Sequence, residues 1–184
     1  MPSNLSPGSL AATLSGHGPE LVERVFGQID RSAVYTTQVR LRARARVSTT
    51  PLGGTLLRHG MTAEDHRALR TAFHHTAQLL LAAGAVELLP PVAAAPPLHD
   101  TAEVEAFCAG VEPGDWQLVS VHSMASCRMG LAERGGVCDE LGRPHGYHNL
   151  HVSDASVLPG VTGISPQGTI MAFAHEIAAR FLHT

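Results

Sequence analysis

The nine residues HSMASCRMG, from His122 to Gly130, hold a histidine, a cysteine, an arginine and two methionines. That set suits a metal site, a nucleophile or the wall of a cofactor pocket. For a metal, His122, Cys127, Cys138, His145, His148 and His151 all fall within thirty residues. Their C-x10-C and H-x2-H-x2-H spacings lack the short cysteine hook that opens standard structural zinc sites. A zinc-binding module thus fits the residue types but not their spacing. Further on, NLHVSDAS sets Leu150 and Val152 against His151 and Ser153, the alternation of a short strand ending near Asp154. An acidic residue at a strand end, followed by small residues, can approach a ligand's hydroxyls. An Asx turn or a helix cap is the alternative.

The third candidate is GISPQGTIMAFAHEIAARFL. Ser165 suits an N-cap and Pro166 the first turn. From Ile170 to Leu182 the run is apolar nearly all round, which predicts a buried helix. Its free N–H groups must find acceptors: a bound anion, an electron-rich cofactor edge, or Ser165 with nearby carbonyls. His175 lies roughly 13–15 Å along the axis from that start. It cannot share a site with Ser165, and it reads as a core or interface histidine.

The elements that must position these residues come earlier. Residues 1–18 have the Pro, Ser and Gly density of a flexible N-terminal segment. A helix is predicted from Pro19 to Phe26, with Pro19 at its first position. Val39, Leu41, Ala43, Ala45 and Val47 alternate with Arg40, Arg42, Arg44 and Arg46, predicting a strand with one apolar and one arginine face. That arginine face reads as a solvated surface or an anion-binding stripe. MTAEDHRALRTAFHHTAQLLLAAGA is the clearest helix, with Thr62 as cap, Glu64 and Asp65 in the first turn and Gly84 past the end. Leu69, Phe73, Thr76, Leu80 and Ala83 share a face, and His74 and His75 point about 100° apart, so they do not chelate. The prolines of LLPPVAAAPPLHD predict an extended linker or surface loop. A helix through TAEVEAFCAG follows, capped by Asp100 or Thr101.

Composition narrows the functional class. The 184 residues are 44% hydrophobic and carry a formal net charge of -3, which gives no electrostatic reason to expect nucleic acid. Aromatic residues are 4%, too few for base-stacking platforms. Three cysteines do not make a disulfide framework and fit a reducing compartment. The opening residues lack a basic n-region and an apolar run, and no stretch is long enough to span a bilayer, so a soluble cytoplasmic protein is expected.

Taken in order, HSMASCRMG, GVCDELGRPHGYHNLHVSDASVLPG and SPQGTIMAFAHEIA resemble the C-terminal region of the glucose–methanol–choline (GMC) FAD-dependent oxidoreductases. The branch of long-chain alcohol oxidases and cholesterol oxidases is the most similar. The resemblance is strong over residues 116–182 and looser over 34–115. It implies an α+β fold: part of a substrate-domain antiparallel sheet with helices over 19–115, then the C-terminal strand–helix segment of an FAD-binding domain over 116–184.

It further implies that His122 accepts the proton of an alcohol hydroxyl while hydride passes to flavin N5, a task suited to a pKa near working pH. Cys127, Arg128 and Met129 then become packing and turn residues, since hydride transfer needs no thiolate. Asp154 and Ala155 match the segment near the flavin's ribityl and pyrophosphate groups. Ser165, Pro166, Gln167 and Thr169 match the loop and helix start beneath the isoalloxazine, where amide dipoles stabilise the charge of reduced flavin. Ser165 stands where the family usually has a histidine or asparagine, so as a second catalytic residue it offers only a hydrogen bond. No strand–G-x-G-x-x-G–helix is present for the ADP half of FAD. The expectation is therefore a C-terminal portion that acts with an FAD-binding N-terminal domain or subunit and binds FAD weakly alone. A truncated, non-catalytic remnant or small binding domain is the alternative.

Overall fold

A computed structural model describes residues 6–120 and 122–183. It forms two compact units, dividing between Leu118 and Val119. The sequence places its own boundary between 115 and 116. The architecture is mixed: helices with one small antiparallel sheet.

In the first unit, α1 (Pro7–Thr13) stands where the composition predicts a flexible segment. Ser6 and Ser9 cap one another's backbone amides, and Leu10 and Leu14 are buried. Those two leucines pack with Val25 of α2 (Pro19–Phe26), which starts at Pro19 as its sequence predicts. Residues 1–5 of the predicted flexible segment lie outside the described residues.

The strand predicted over Val39–Val47 is only partly realised. β1 (Arg46–Thr49) pairs antiparallel with β2 (Thr55–Arg58), Arg46 facing Arg58 and Ser48 facing Leu56. Between them Gly53 takes φ +79 in the tight turn. Residues 39–45 keep the alternation without the ladder. Val39 and Leu41 pack against the buried Leu69, Val111 and Trp116, and Arg40, Arg42 and Arg44 face solvent. Instead of a neighbouring strand, the Asp65 carboxylate takes the amides of Arg42 and Ala43, at 2.6 and 3.0 Å.

Asp65 belongs to α3 (Ala63–Ala82), whose first turn is closed by a reciprocal Thr62–Asp65 cap. Gly84, at φ +99, ends the segment in the left-handed conformation. Of the predicted apolar face, Leu69 is buried and Phe73 and Leu80 pack on the core, whereas Ala83 is exposed. α3 packs against α4 (Thr101–Gly110), capped by Asp100, which takes the Glu103 amide at 2.9 Å. Their shared core is Ala77, Leu88, Leu98, Val104 and Cys108. Leu88 and Leu98 exchange two backbone hydrogen bonds of 2.8 and 2.9 Å. The proline-rich stretch is therefore a pinned, partly buried loop and not a free linker.

The second unit is mostly irregular backbone closed on itself, followed by α5 (Gln167–Leu182). Its interior holds Cys138, Val157, Leu158 and Ile177. No strand forms over 150–154: Val152 donates one 2.8 Å bond to the Gly142 carbonyl, and one bond is no ladder. Gly142, at φ +72, allows that approach, since a Cβ there would lie 2.6 Å from the Val152 oxygen. Among the described residues no helix is long and apolar enough to cross a membrane.

Candidate active site

The block headed by His122 runs against a single turn of 3₁₀ helix, Ala155–Val157. Alternate amides of the block reach successive carbonyls of that turn: Ala125 to Ala155 (3.4 Å), Cys127 to Ser156 (3.0 Å) and Met129 to Val157 (2.9 Å). The Ala155 carbonyl also takes the Leu158 amide at 3.3 Å, which closes the turn, and the block supplies the amides that reach the carbonyls of Ser156 and Val157. Two of the three segments singled out in the sequence are thereby joined. His122 itself is half-buried. Three residues on, Ala125 sits at φ +67, a conformation that costs a residue with a Cβ about 1 kcal/mol. Nothing in the sequence signals that strain.

Behind the block, the carbonyl of Arg128 accepts the amides of Val137 and Cys138, at 2.8 and 3.2 Å. The His145 ring donates from Nε2 to the Gly130 carbonyl at 2.8 Å, so that nitrogen carries its proton. Asp139 organises the adjoining turn, taking the amides of Leu141 and Arg143 and the Arg143 Nε–H, each at 2.9 Å. Burial pushes its carboxyl up, and the bonds from Arg143 and Leu141 outweigh that and hold it below the usual range. Cys138 is fully buried, and burial, together with Cys127 and Asp139 nearby, pushes its thiol up. His151 packs edge-on against Phe181, with ring centroids 5.0 Å apart. Among the described residues no three His, Cys, Asp or Glu side chains form a group able to hold a metal ion.

Asp154 acts as the cap of the 3₁₀ turn. Its Oδ1 accepts both the amide and the hydroxyl of Ser156, and these two bonds hold the carboxyl below its usual range. This is the capping role that the sequence left open beside ligand binding. The residue is exposed, and Oδ2 takes no hydrogen bond among the described residues. Ala155, the first residue of the turn, is half-buried.

The start of α5 departs from expectation. Pro166, not Ser165, occupies the cap, its carbonyl taking the Ile170 amide at 2.8 Å. A proline offers no side-chain acceptor, so the amides of Gln167, Gly168 and Thr169 have no side-chain cap. Pro166 is buried, while Ser165, Gln167 and Thr169 are exposed. No hydrogen bond among the described residues ties His122 to Ser165 or to this helix start.

The helix also differs in burial. Of its apolar run only Ile177 is buried; Met171 is 64% exposed and Leu182 78%. His175 is exposed, so it is not a core residue. Apolar composition shows that a helix wants cover, and the described residues do not provide it.

A family model described as GMC oxidoreductase, covering the C-terminal part of such enzymes, matches residues 38–174. An uncharacterized GMC-type oxidoreductase of Mycobacterium tuberculosis is 30% identical over 172 residues, 94% of this chain and 27% of that protein. A long-chain-alcohol oxidase of Arabidopsis thaliana is 28% identical over 190 residues, 96% of this chain and 24% of its own length. Among solved structures, pyridoxine 4-oxidase from Mesorbium loti shares the fold at a TM-score of 0.52 and 24% identity, over 80% of this chain and 28% of that one. The chain thus spans about a quarter of the length of the proteins it matches. Over most of its residues, this chain belongs to the GMC oxidoreductase family.

Proposed function

We propose that this chain carries the base-bearing and flavin-facing part of an FAD-dependent oxidoreductase acting on the CH–OH group of an alcohol. The carrying observation is the set of hydrogen bonds that seats the His122 block on the Asp154–Val157 turn.

The chain's own residues fit one half of FAD. The start of α5 offers amides with no side-chain cap, suited to an electron-rich ring edge. Asp154 keeps Oδ2 open for a ribityl hydroxyl, while its other oxygen holds the turn. Ala155 beside it adds little bulk, and Pro166, Gln167 and Thr169 line the helix mouth. For the adenosine half, no glycine fingerprint is present. The nucleotide is then held by an FAD-binding N-terminal region, in the same enzyme or in a partner subunit. When bound, the flavin supplies a two-electron acceptor for hydride.

In this reading His122 takes the hydroxyl proton of the alcohol, using a neutral imidazole nitrogen. Ser165 orients the hydroxyl by one hydrogen bond and cannot carry positive charge. The 19–115 segment contributes part of the substrate domain. The three free cysteines fit work in a reducing compartment such as the cytoplasm.

The test is reconstitution with the N-terminal region. His122→Ala should lower primary-alcohol oxidation by about 10²–10⁴-fold while flavin binding persists. Unchanged turnover refutes the role of His122. Titrated alone, the chain should bind FAD weakly, and a stable yellow complex of sub-micromolar affinity refutes the division of labour.

A further inference from the structure

We propose that the β1–β2 hairpin docks on an anionic lipid surface, with Leu52 entering the bilayer boundary and Arg46 and Arg58 taking headgroup phosphates. The inference stands apart from the flavoenzyme reading. Charge along this chain is segregated. The net charge is -3, yet no acidic residue lies between Asp30 and Glu64, and from residue 40 onward that stretch carries five arginines, Arg40, Arg42, Arg44, Arg46 and Arg58. Arg42 pairs with Glu64 at 3.1 Å, and the other four are exposed with no ion pair among the described residues.

Arg46 and Arg58 stand directly opposite in the antiparallel register. Like charges so placed repel, and an external anion relieves the repulsion. On the same face, Ser48, Thr50, Pro51 and Leu56 complete with them a shallow concavity of about 500 Å³. The tip is apolar: Leu52, beside Pro51, is 98% exposed. Val47 and Leu57, paired on the opposite face, are 65% and 60% exposed.

Dimensions agree with docking tip first. Interfacial segments sink about 5–10 Å into the headgroup–acyl boundary. Arg46 precedes the turn residue Thr50 by four positions, about 13 Å of strand. With Leu52 sunk by that depth past the boundary, the arginine pair stands roughly 3–8 Å outside it, within the headgroup layer. A free phosphate would use the arginines and leave Leu52 without a role, and this favours the lipid surface over a soluble phosphate ester. Pairing of another strand along a hairpin edge leaves both tip and face open.

The test is co-sedimentation of the full chain with phosphatidylcholine vesicles, with and without about 30% phosphatidylserine. Binding should require the anionic lipid and weaken as salt rises. Arg46→Gln with Arg58→Gln should weaken it by about 10–30-fold, and Leu52→Asp by about fivefold or more. Phe181→Ser, on the exposed face of α5, should leave it unchanged. Circular dichroism checks that each variant is folded. Equal binding to neutral vesicles, loss through Phe181→Ser alone, or full competition by soluble glycerol phosphate each overturns the proposal.

Discussion

Asp65 is only 2% exposed, yet its carboxylate accepts four hydrogen bonds. The amide of Arg42 reaches Oδ1, and the amides of Ala43 and Thr62 and the Thr62 hydroxyl reach Oδ2. Burial alone would push this carboxyl up. The four donors outweigh it and bring the pKa from 3.8 down to about 2. A carboxyl whose folded-state pKa lies below its unfolded value stabilises the fold above the unfolded value. That stabilisation is lost as pH falls through the folded one. The shift corresponds to about 2 kcal/mol, present near neutrality and lost between about pH 4 and pH 2. Asp65→Asn keeps the shape but turns one acceptor into a donor. In its better orientation the new NH2 replaces Oδ1 and faces the Arg42 amide. The variant should lose about 2–3 kcal/mol at pH 7. Urea unfolding followed by circular dichroism, at several pH values from 7 down to 2.5, measures both effects. Other depressed carboxylates, Asp139 and Asp154, add their own pH dependence to both proteins, so the difference between wild type and variant isolates Asp65. That difference should shrink steadily below about pH 4. If it stays constant across the range, the carboxylate is not the group that holds residues 42 and 43 to α3.

Gly142→Ala should cost about 2–3 kcal/mol by the same unfolding assay, because it combines a positive φ with a Cβ 2.6 Å from the Val152 oxygen. Gly8→Ala in α1, with nothing within 4 Å of its Cβ, should be neutral or stabilising, and equal losses at both sites would refute the steric argument. A disulfide reagent at neutral pH should react first with the half-buried Cys127. Cys108 and Cys138 are buried, with thiols pushed up by that burial, and should react only on unfolding. A fast phase that survives Cys127→Ser would contradict this.

What the sequence disclosed depends on the range of the interaction involved. Pro19 opening α2, Thr62 as a cap and Gly84 ending α3 are decided within one helical turn and are legible, and the cap of α4 is legible to within one residue, Asp100 or Thr101. The strands over 39–47 and 150–154 are alternations without a local partner. Alternation tells which side chains face inward, as Val39 and Leu41 do, but not whether a neighbouring backbone completes the ladder. Asp65 was visible as a favourable first-turn charge. Its reach to residues 42 and 43 depends on a fold that brings the two segments together. At Ser165 the local rule itself misled: serine is the better cap by propensity, yet Pro166 takes the cap position.

The pieces that chemistry would need are unequal in how firmly they are held. The His122 block is fixed by three amides to the Ala155–Val157 turn, and that turn is capped in turn by Asp154. The helix start carries no such side-chain tether, and α5 buries only Ile177 of its own apolar run. In the proposed enzyme these two facts have one physical cause. Amides left without a side-chain cap and apolar residues left exposed are both satisfied by a cofactor-bearing region packed against the helix. A side-chain cap at Pro166 would compete for the amides that face the flavin edge. Polar residues at Met171 and Phe181 would weaken the packing that holds the edge there. Loss of flavin affinity in a reconstituted enzyme should therefore follow substitutions at Met171 and Phe181 as well as at the helix mouth, although neither side chain need touch the cofactor.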